Sequence, residues 1–307
     1  MHYKFTLFLI LIVFSAALAL SAQNTQQTIQ KLVVATYQYA ENPRIKNIEP
    51  FARQFGEANN LQVEVKSYPS VQELLKALEK EEIDVAFMNT FGYLMLKEKS
   101  QAYEAGVVLN IPKEKENAYK SVIATGANIP ENTLEQIVAD ASDFVLVLVS
   151  PGSSSGNLVP RLKLASLQPG YPERFFLEVQ YTNNHALAAQ RALKGEVALC
   201  AFGSAEYYNL GADTVKLKKL WESPPIPLGP VVYRKKLPVS LHDELQKALL
   251  ELHLKNPEAL ELIKAGWTEA IPADRYIFVT DDYYAGLLKL SNNPAVSMSI
   301  IRNFAKD

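Results

Sequence analysis

Residues 150–164 read SPGSSSGNLVPRLKL, and no other stretch is as rich in groups that could do chemistry. Three consecutive hydroxyls, Ser153, Ser154 and Ser155, lie between Gly152 and Gly156, directly after the apolar run FVLVLV at 144–149 and directly before a helical period. Glycines let the backbone approach a ligand closely, and free N–H groups at a helix start favour negative charge. Serine hydroxyls add neutral donors that rotate to match a tetrahedral oxyanion. The segment therefore reads as an anion cradle, with a plain capping turn as the bland alternative.

The same letters satisfy G-x-S-x-G with Ser154 as a would-be nucleophile, so a serine hydrolase is the enzyme alternative. Against it, Pro151 separates strand from glycine, His185 follows only 31 positions later, and the late histidines His242 and His253 lie in an ordinary amphipathic pattern. The Lys-Ser/Thr of a nucleotide P-loop is missing. His185 follows Thr182, Asn183 and Asn184 at a helix start, where it could donate to an anion that would in turn raise its pKa. Tyr119 opens an extended stretch. Four histidines and one cysteine, dispersed, give no metal-ligand spacing, and no cofactor is expected.

The elements that must position these residues alternate. KLVVATY at 31–37 is a strand, 48–58 has helix spacing, 61–68 alternates with period two, 71–80 places one apolar face, and DVAFM at 84–88 is a strand. This β-α-β-α-β series implies a parallel sheet with helices on both faces. A second series follows, with strands at 144–149, 175–181 and 197–202 and helices at 158–167 and 186–193. The proline cluster SPPIPLGP at 223–230 leads into helical segments at 241–254 and 257–265, and then an amphipathic tail. If this crossing returns the chain to the first unit, two lobes are joined by two crossovers, near 112–121 and 222–232, with a ligand cleft between them.

The whole chain has 307 residues, 31 Lys plus Arg against 33 Asp plus Glu, 48% hydrophobic and 21% charged residues. Such a composition excludes disordered and collagen-like chains, and a formal charge of −2 excludes a polybasic nucleic-acid binder. Residues 1–22 carry Lys4, an apolar run at 5–14 and small residues before Gln23, the pattern of a secretory signal peptide. The expected mature protein is exported, soluble and without direct membrane insertion. Its single Cys200, flanked by Leu199 and Ala201, is expected to be a buried core thiol.

Taken together, four segments resemble the phosphonate, phosphite and phosphate substrate-binding proteins of bacterial ABC importers, a PhnD-like family with the type II periplasmic-binding-protein fold. They are IDVAFMNTFGYL at 83–94, SPGSSSGNLVPRLKL, NNHALAAQRALKGEVAL at 183–199 and SPPIPLGPVVYRKKL at 223–237. The resemblance implies an α/β, two-lobed fold with two hinge crossovers: lobe one from 23–115 and 225–307, lobe two from 116–224. It implies that Ser153, Ser154 and Ser155, followed by Gly156, bind phosphoryl oxygens, with His185 and Tyr119 as further ligand contacts. The positions where aminophosphonate binders hold the substrate ammonium fall here on Ala205 and Gly229, and another cleft tyrosine becomes Val71. Glu206, one place from Ala205, is expected to be a solvated helix residue. The implied function is capture of a small oxyanion, phosphite, phosphate or an alkylphosphonate, by a monomer that delivers it to an inner-membrane ABC permease. A ligand-sensing role read by a membrane receptor is the alternative.

Overall fold

The computed structural model describes residues 31–39 and 42–306, and the signal segment read at 1–22 lies outside them. Strands β1 (Lys31–Tyr37), β2 (Gln62–Tyr68), β3 (Val85–Phe87) and β4 (Tyr103–Asn110) come first. β5 (Ser121–Gly126), β6 (Val145–Leu148), β7 (Glu178–Tyr181), β8 (Ala198–Gly203) and β9 (Leu217–Glu222) follow, then β10 (Pro230–Arg234) and β11 (Arg275–Phe278). They form two sheets, a six-stranded one in the order β11-β4-β10-β3-β1-β2 and a five-stranded one in the order β7-β6-β8-β5-β9.

Each sheet is covered on both faces. On β6, Leu146 and Leu148 join a core with Ile137, Phe144 and Leu164. Val147, one step out of phase, joins a second core with Ala188, Ala192, Cys200 and Phe202. A period-two strand buried this way must be apolar at every position, which is why the run FVLVLV shows no alternation. In the other lobe, the helix Ile45–Ala58 buries Ile48, Phe51, Ala52 and Phe55, the stripe expected of a helix lying on a sheet.

The strands of each β-α-β series run parallel, as expected, and antiparallel strands from outside those series complete each sheet. β1 runs parallel to β2 and β3, and β6 runs parallel to β7 and β8. β10 lies antiparallel between β3 and β4, and β5 antiparallel between β8 and β9. The reason is where the chain enters. β5 and β10 each arrive from the other sheet at the carboxyl ends of the parallel strands, so they must run back against them.

The chain passes between the sheets from Asn110 to Ser121 and again from Glu222 to Pro230. These two passages run side by side. The Ser121 N–H donates to Ser223 Oγ at 2.9 Å, the Ser223 N–H to the Ser121 carbonyl at 2.9 Å, and the Ile226 N–H to the Tyr119 carbonyl at 2.9 Å.

The sequence reading left out the short helices Leu134–Ala139 and Ser204–Asn209, the strand Arg275–Phe278 and, closest to the cleft, the helix Thr90–Lys99. Its first seven residues are all buried, so it has no polar face and no amphipathic period to detect. Among the described residues no helix is long and apolar enough to cross a membrane.

Cys200 is 0% exposed in the middle of β8, and burial pushes its thiol up to about 12. Thiolate is the reactive form, so Cys200 should resist a thiol-specific reagent in native protein at pH 8 and react stoichiometrically only in denaturant. Fast labelling of the native protein would contradict this packing.

Candidate functional site

The carboxyl ends of β1, β3, β6, β7 and β8 converge on one cavity of about 530 Å³, lined by residues of both sheets. The first lobe contributes Tyr37, Tyr39, Arg44, Val71, Asn89 and Glu269; the second contributes Tyr119, the serines, His185, Ala205 and Glu206. A crevice beyond the carboxyl ends of parallel strands is where α/β sheets hold ligands, because loops and helix starts meet there.

The serine loop is the most constrained wall. After β6 the chain turns through Ser150–Gly152 into a wide π-helical turn, with the Leu158 N–H donating to the Ser153 carbonyl at 3.0 Å, and then into the helix Val159–Leu167. Ser153 Oγ caps this turn by accepting the Gly156 N–H at 3.0 Å. Gly156 stands just behind the cavity wall, not in it. A Cβ there would come 2.3 Å from Val149 Cγ2, so the loop closes onto β6 only because residue 156 has no side chain. Behind the loop, Asn157 Nδ2 donates to the Pro151 carbonyl at 2.7 Å and its Oδ1 accepts from Arg161 Nε at 2.7 Å. Arg161 is 1% exposed and bonds onward to Glu173 and Tyr181. The loop is thus held from behind by a filled polar network.

Five of the six candidate residues line the cavity: Tyr119, Ser153, Ser154, Ser155 and His185. Ser154 Oγ accepts the N–H of Phe91 at 3.1 Å, and the Gly152 carbonyl accepts from Asn89 Nδ2 at 2.8 Å. Both donors belong to the start of the Thr90–Lys99 helix, so the two lobes touch at the serine loop. Ser155 is held by its carbonyl, which accepts from Ser121 Oγ at 2.7 Å. Ser153 and Ser154 are engaged as acceptors, which leaves their hydroxyl protons available to a ligand. The Tyr119 hydroxyl lies with those of Ser154 and Ser155, and burial raises its pKa, so it remains a protonated donor.

His185 opens the helix His185–Leu193, whose cap is Asn184. Its Nδ1 accepts the Gly203 N–H at 2.9 Å. That bond leaves the proton on Nε2, the nitrogen free for a ligand. Desolvation lowers the imidazole pKa to about 4, so before any anion binds it is a neutral donor at pH 7. None of the three described histidines is hydrogen-bonded to a serine, so no nucleophile–base pair is assembled on Ser154. Among the described residues no cluster of three or more His, Cys, Asp or Glu could hold a metal ion.

The departures now have a physical account. A Cβ at Gly229 would lie 2.0 Å from the Met88 carbonyl oxygen, so no acidic side chain fits there without moving backbone. Ala205 and Val71 line the cavity and add no charge. Glu206 lines the cavity too, half-buried in the first turn of the helix Ser204–Asn209, with desolvation raising its pKa. It is a cleft residue, which corrects the expectation of a solvated helix position.

Sequence reasoning missed the partners from the first lobe, Asn89, the Phe91 N–H, Arg44 and Glu269. An Asn before a helix was a findable cap signal. Arg44 gave none, since its burial depends on Gly266, whose carbonyl accepts from Arg44 Nε at 2.7 Å.

Two outcomes follow from this geometry. Gly229→Ala should destabilise the protein by about 1–3 kcal/mol in denaturant unfolding, since the added methyl meets main chain; an unchanged midpoint would refute the clash. For His185 the folded pKa is lowered, so between pH 6.5 and 4 the unfolded chain binds the extra proton. Stability is complete above about pH 6.5 and falls as pH drops toward 4, by on the order of 3 kcal/mol. Unfolding curves across this range should show that slope in the wild type and lose that part of it in His185→Gln.

Comparison with known proteins agrees with this architecture. Residues 34–276 match the sequence model of a family described as the periplasmic substrate-binding protein of phosphonate ABC transporters. Among solved structures, the chain is similar to a binding protein component of an ABC phosphonate transporter from Pseudomonas aeruginosa, with 17% identity, a TM-score of 0.64, and 90% of this chain and 94% of that one covered. PhnD1 from Prochlorococcus marinus, solved in complex with methylphosphonate, is 14% identical at a TM-score of 0.63, covering 86% of this chain and 98% of that one. The periplasmic aliphatic sulphonate binding protein SsuA from Escherichia coli is 15% identical at a TM-score of 0.54, with 86% of each chain covered. Likeness at these identities establishes the two-lobed fold. No curated protein sequence matches.

Proposed function

We propose, starting from the fact that the chain belongs to the family of periplasmic substrate-binding proteins of phosphonate ABC transporters, that its ligand is a small tetrahedral oxyanion held on the serine loop. Phosphite, phosphate and alkylphosphonates fit this reading. The observation that carries it is the convergence of neutral donors on one wall: the hydroxyls of Ser153, Ser154 and Ser155, the Tyr119 hydroxyl and the Nε2–H of His185. Hydrogen bonds to a charged acceptor are each worth about 1.5–3 kcal/mol when the donors are already oriented. Here the orientation is supplied by Gly156, Asn157 and Arg161 from behind the loop.

In this reading the passages at 111–120 and 223–229 are the hinge, with residues 116–224 as lobe two and the described residues before and after them as lobe one. The Phe91–Ser154 bond then favours the closed form, and ligand shifts the open–closed equilibrium by as much as its affinity differs between the two. A monomer exported through the segment at 1–22 would present this closed form to the permease. No covalent step is required of it, and no cofactor.

The test is calorimetric titration of purified protein with phosphite, phosphate, methylphosphonate, methanesulphonate and aminoethylphosphonate. At least one phosphorus oxyanion without an amine should bind well below millimolar. Ser155→Ala should weaken it about ten- to hundredfold, the loss of one charge-assisted bond, with the fold intact because the main-chain bond from Ser121 remains. Binding of none of these, or a clear preference for the sulphonate or the aminated ligand, would sink this assignment.

A further inference from the structure

The serine loop does not use the whole cavity, and the opposite wall carries a charge without a counterpart among the described residues. Arg44 is 4% exposed and lines the cavity. Its Nε is bonded to the Gly266 carbonyl, whereas its Nη1 is buried with no hydrogen-bond partner. Among the described residues no carboxylate lies within 4.0 Å of the guanidinium. The group stands instead among aromatic rings, 4.6 Å from the Tyr37 centroid, 4.7 Å from that of Trp267 and 5.2 Å from that of Tyr39. Ring faces stabilise a cation without accepting its protons, so the box leaves Nη1 without an acceptor among the described residues. A buried, unfilled charged donor is costly unless an acceptor arrives.

The position of this cation relative to the serine loop is set by Tyr39. Its ring meets Arg44 on one side and the His185 ring, 5.9 Å away, on the other. One aromatic residue therefore lies between the imidazole of the second lobe and the guanidinium of the first.

We propose that Arg44 is a second anchor of the cleft, and that the preferred ligand is a short phosphonate bearing a carboxylate at its other end. This rests on the reading of the serine loop as the oxyanion site. The planar carboxylate matches the fork of a guanidinium, and its charge satisfies the one cation the lining leaves unpaired among the described residues. Such a ligand bridges the lobes, phosphonate on the second and carboxylate on the first, so its second acid acts mainly in the closed form. Glu269 and Glu206 line the same cavity and disfavour anions near themselves, but neither lies within 4.0 Å of Arg44. They make a ligand cation the competing outcome.

The experiment compares 3-phosphonopropionate with propylphosphonate, which has the same length and no second acid, and with 2-aminoethylphosphonate. Each is titrated calorimetrically into the wild type, Arg44→Gln and Arg44→Lys. The wild type should bind phosphonopropionate at least about tenfold more tightly than propylphosphonate. Arg44→Gln should abolish that advantage while changing the affinity for propylphosphonate by less than about threefold, and Arg44→Lys, which keeps the charge but loses the fork, should retain part of it. Equal affinities in the wild type overturn the proposal and leave the oxyanion reading standing. So does an equal loss for both ligands in Arg44→Gln, which would make Arg44 a strut between Trp267 and β1. Tightest binding of the aminated ligand overturns it in favour of the carboxylates. If neither phosphonate binds, the oxyanion reading falls and this proposal falls with it. Should Arg44→Gln not fold, the wild-type comparison and Arg44→Lys decide the matter.

Discussion

Across the cleft, the N–H of Phe91 donates to Ser154 Oγ, and much of the remaining arrangement depends on that contact. A helix start has main-chain N–H groups with no partner inside the helix, and they must be satisfied by something else. Asn89 caps one of them by accepting from Gly92 at 2.8 Å. The serine loop of the other lobe takes the next, and Asn89 returns a bond to the Gly152 carbonyl. The helix bearing these donors is buried along its first seven residues, so the donors cannot move without moving the core of the first lobe. The loop that receives them is equally fixed, by the close packing of Gly156 on Val149 and by the Asn157–Arg161 network. Two rigid walls therefore meet through bonds made by short side chains, and the cavity is the space those bonds leave open.

The electrostatic character of that space differs from one wall to the other. On the second lobe the donors are neutral: hydroxyls, a tyrosine kept protonated by burial and an imidazole kept neutral by desolvation. Neutral donors cost little to bury when each is oriented by a bond it accepts, and Ser153, Ser154 and His185 each accept one from main chain. On the first lobe the cation of Arg44 is buried, which is tolerable because three aromatic rings surround it. One wall therefore offers neutral donors of fixed direction, and the other a buried guanidinium.

The secondary-structure pattern was legible in the sequence wherever one periodicity dominated. The strand at 31–37, the stripe of the helix over 45–58 and the buried run before the serines all follow from short-range spacing. The helix Thr90–Lys99 was not legible, because burial on every side erases the contrast between faces. The direction of β5 and β10 was not legible, since strand direction depends on which end of a sheet the chain enters, and no local pattern encodes that.

For the cleft the division is similar. Residue types by themselves pointed to the serine run Ser153, Ser154 and Ser155 as a set of donors between glycines, because that spacing has the same character in any fold that forms the turn, and they placed His185 at a helix start. Tertiary structure alone decided what stands opposite them. Arg44 is brought to the cleft by Gly266 and Trp267, more than two hundred residues away in the chain. Gly229 is barred from carrying an acid by the carbonyl of Met88, and Glu206 is turned from solvent toward the cavity by its place after β8. A sequence specifies near neighbours through local spacing, but the far side of a cleft is assembled from segments whose proximity exists only once both lobes have packed.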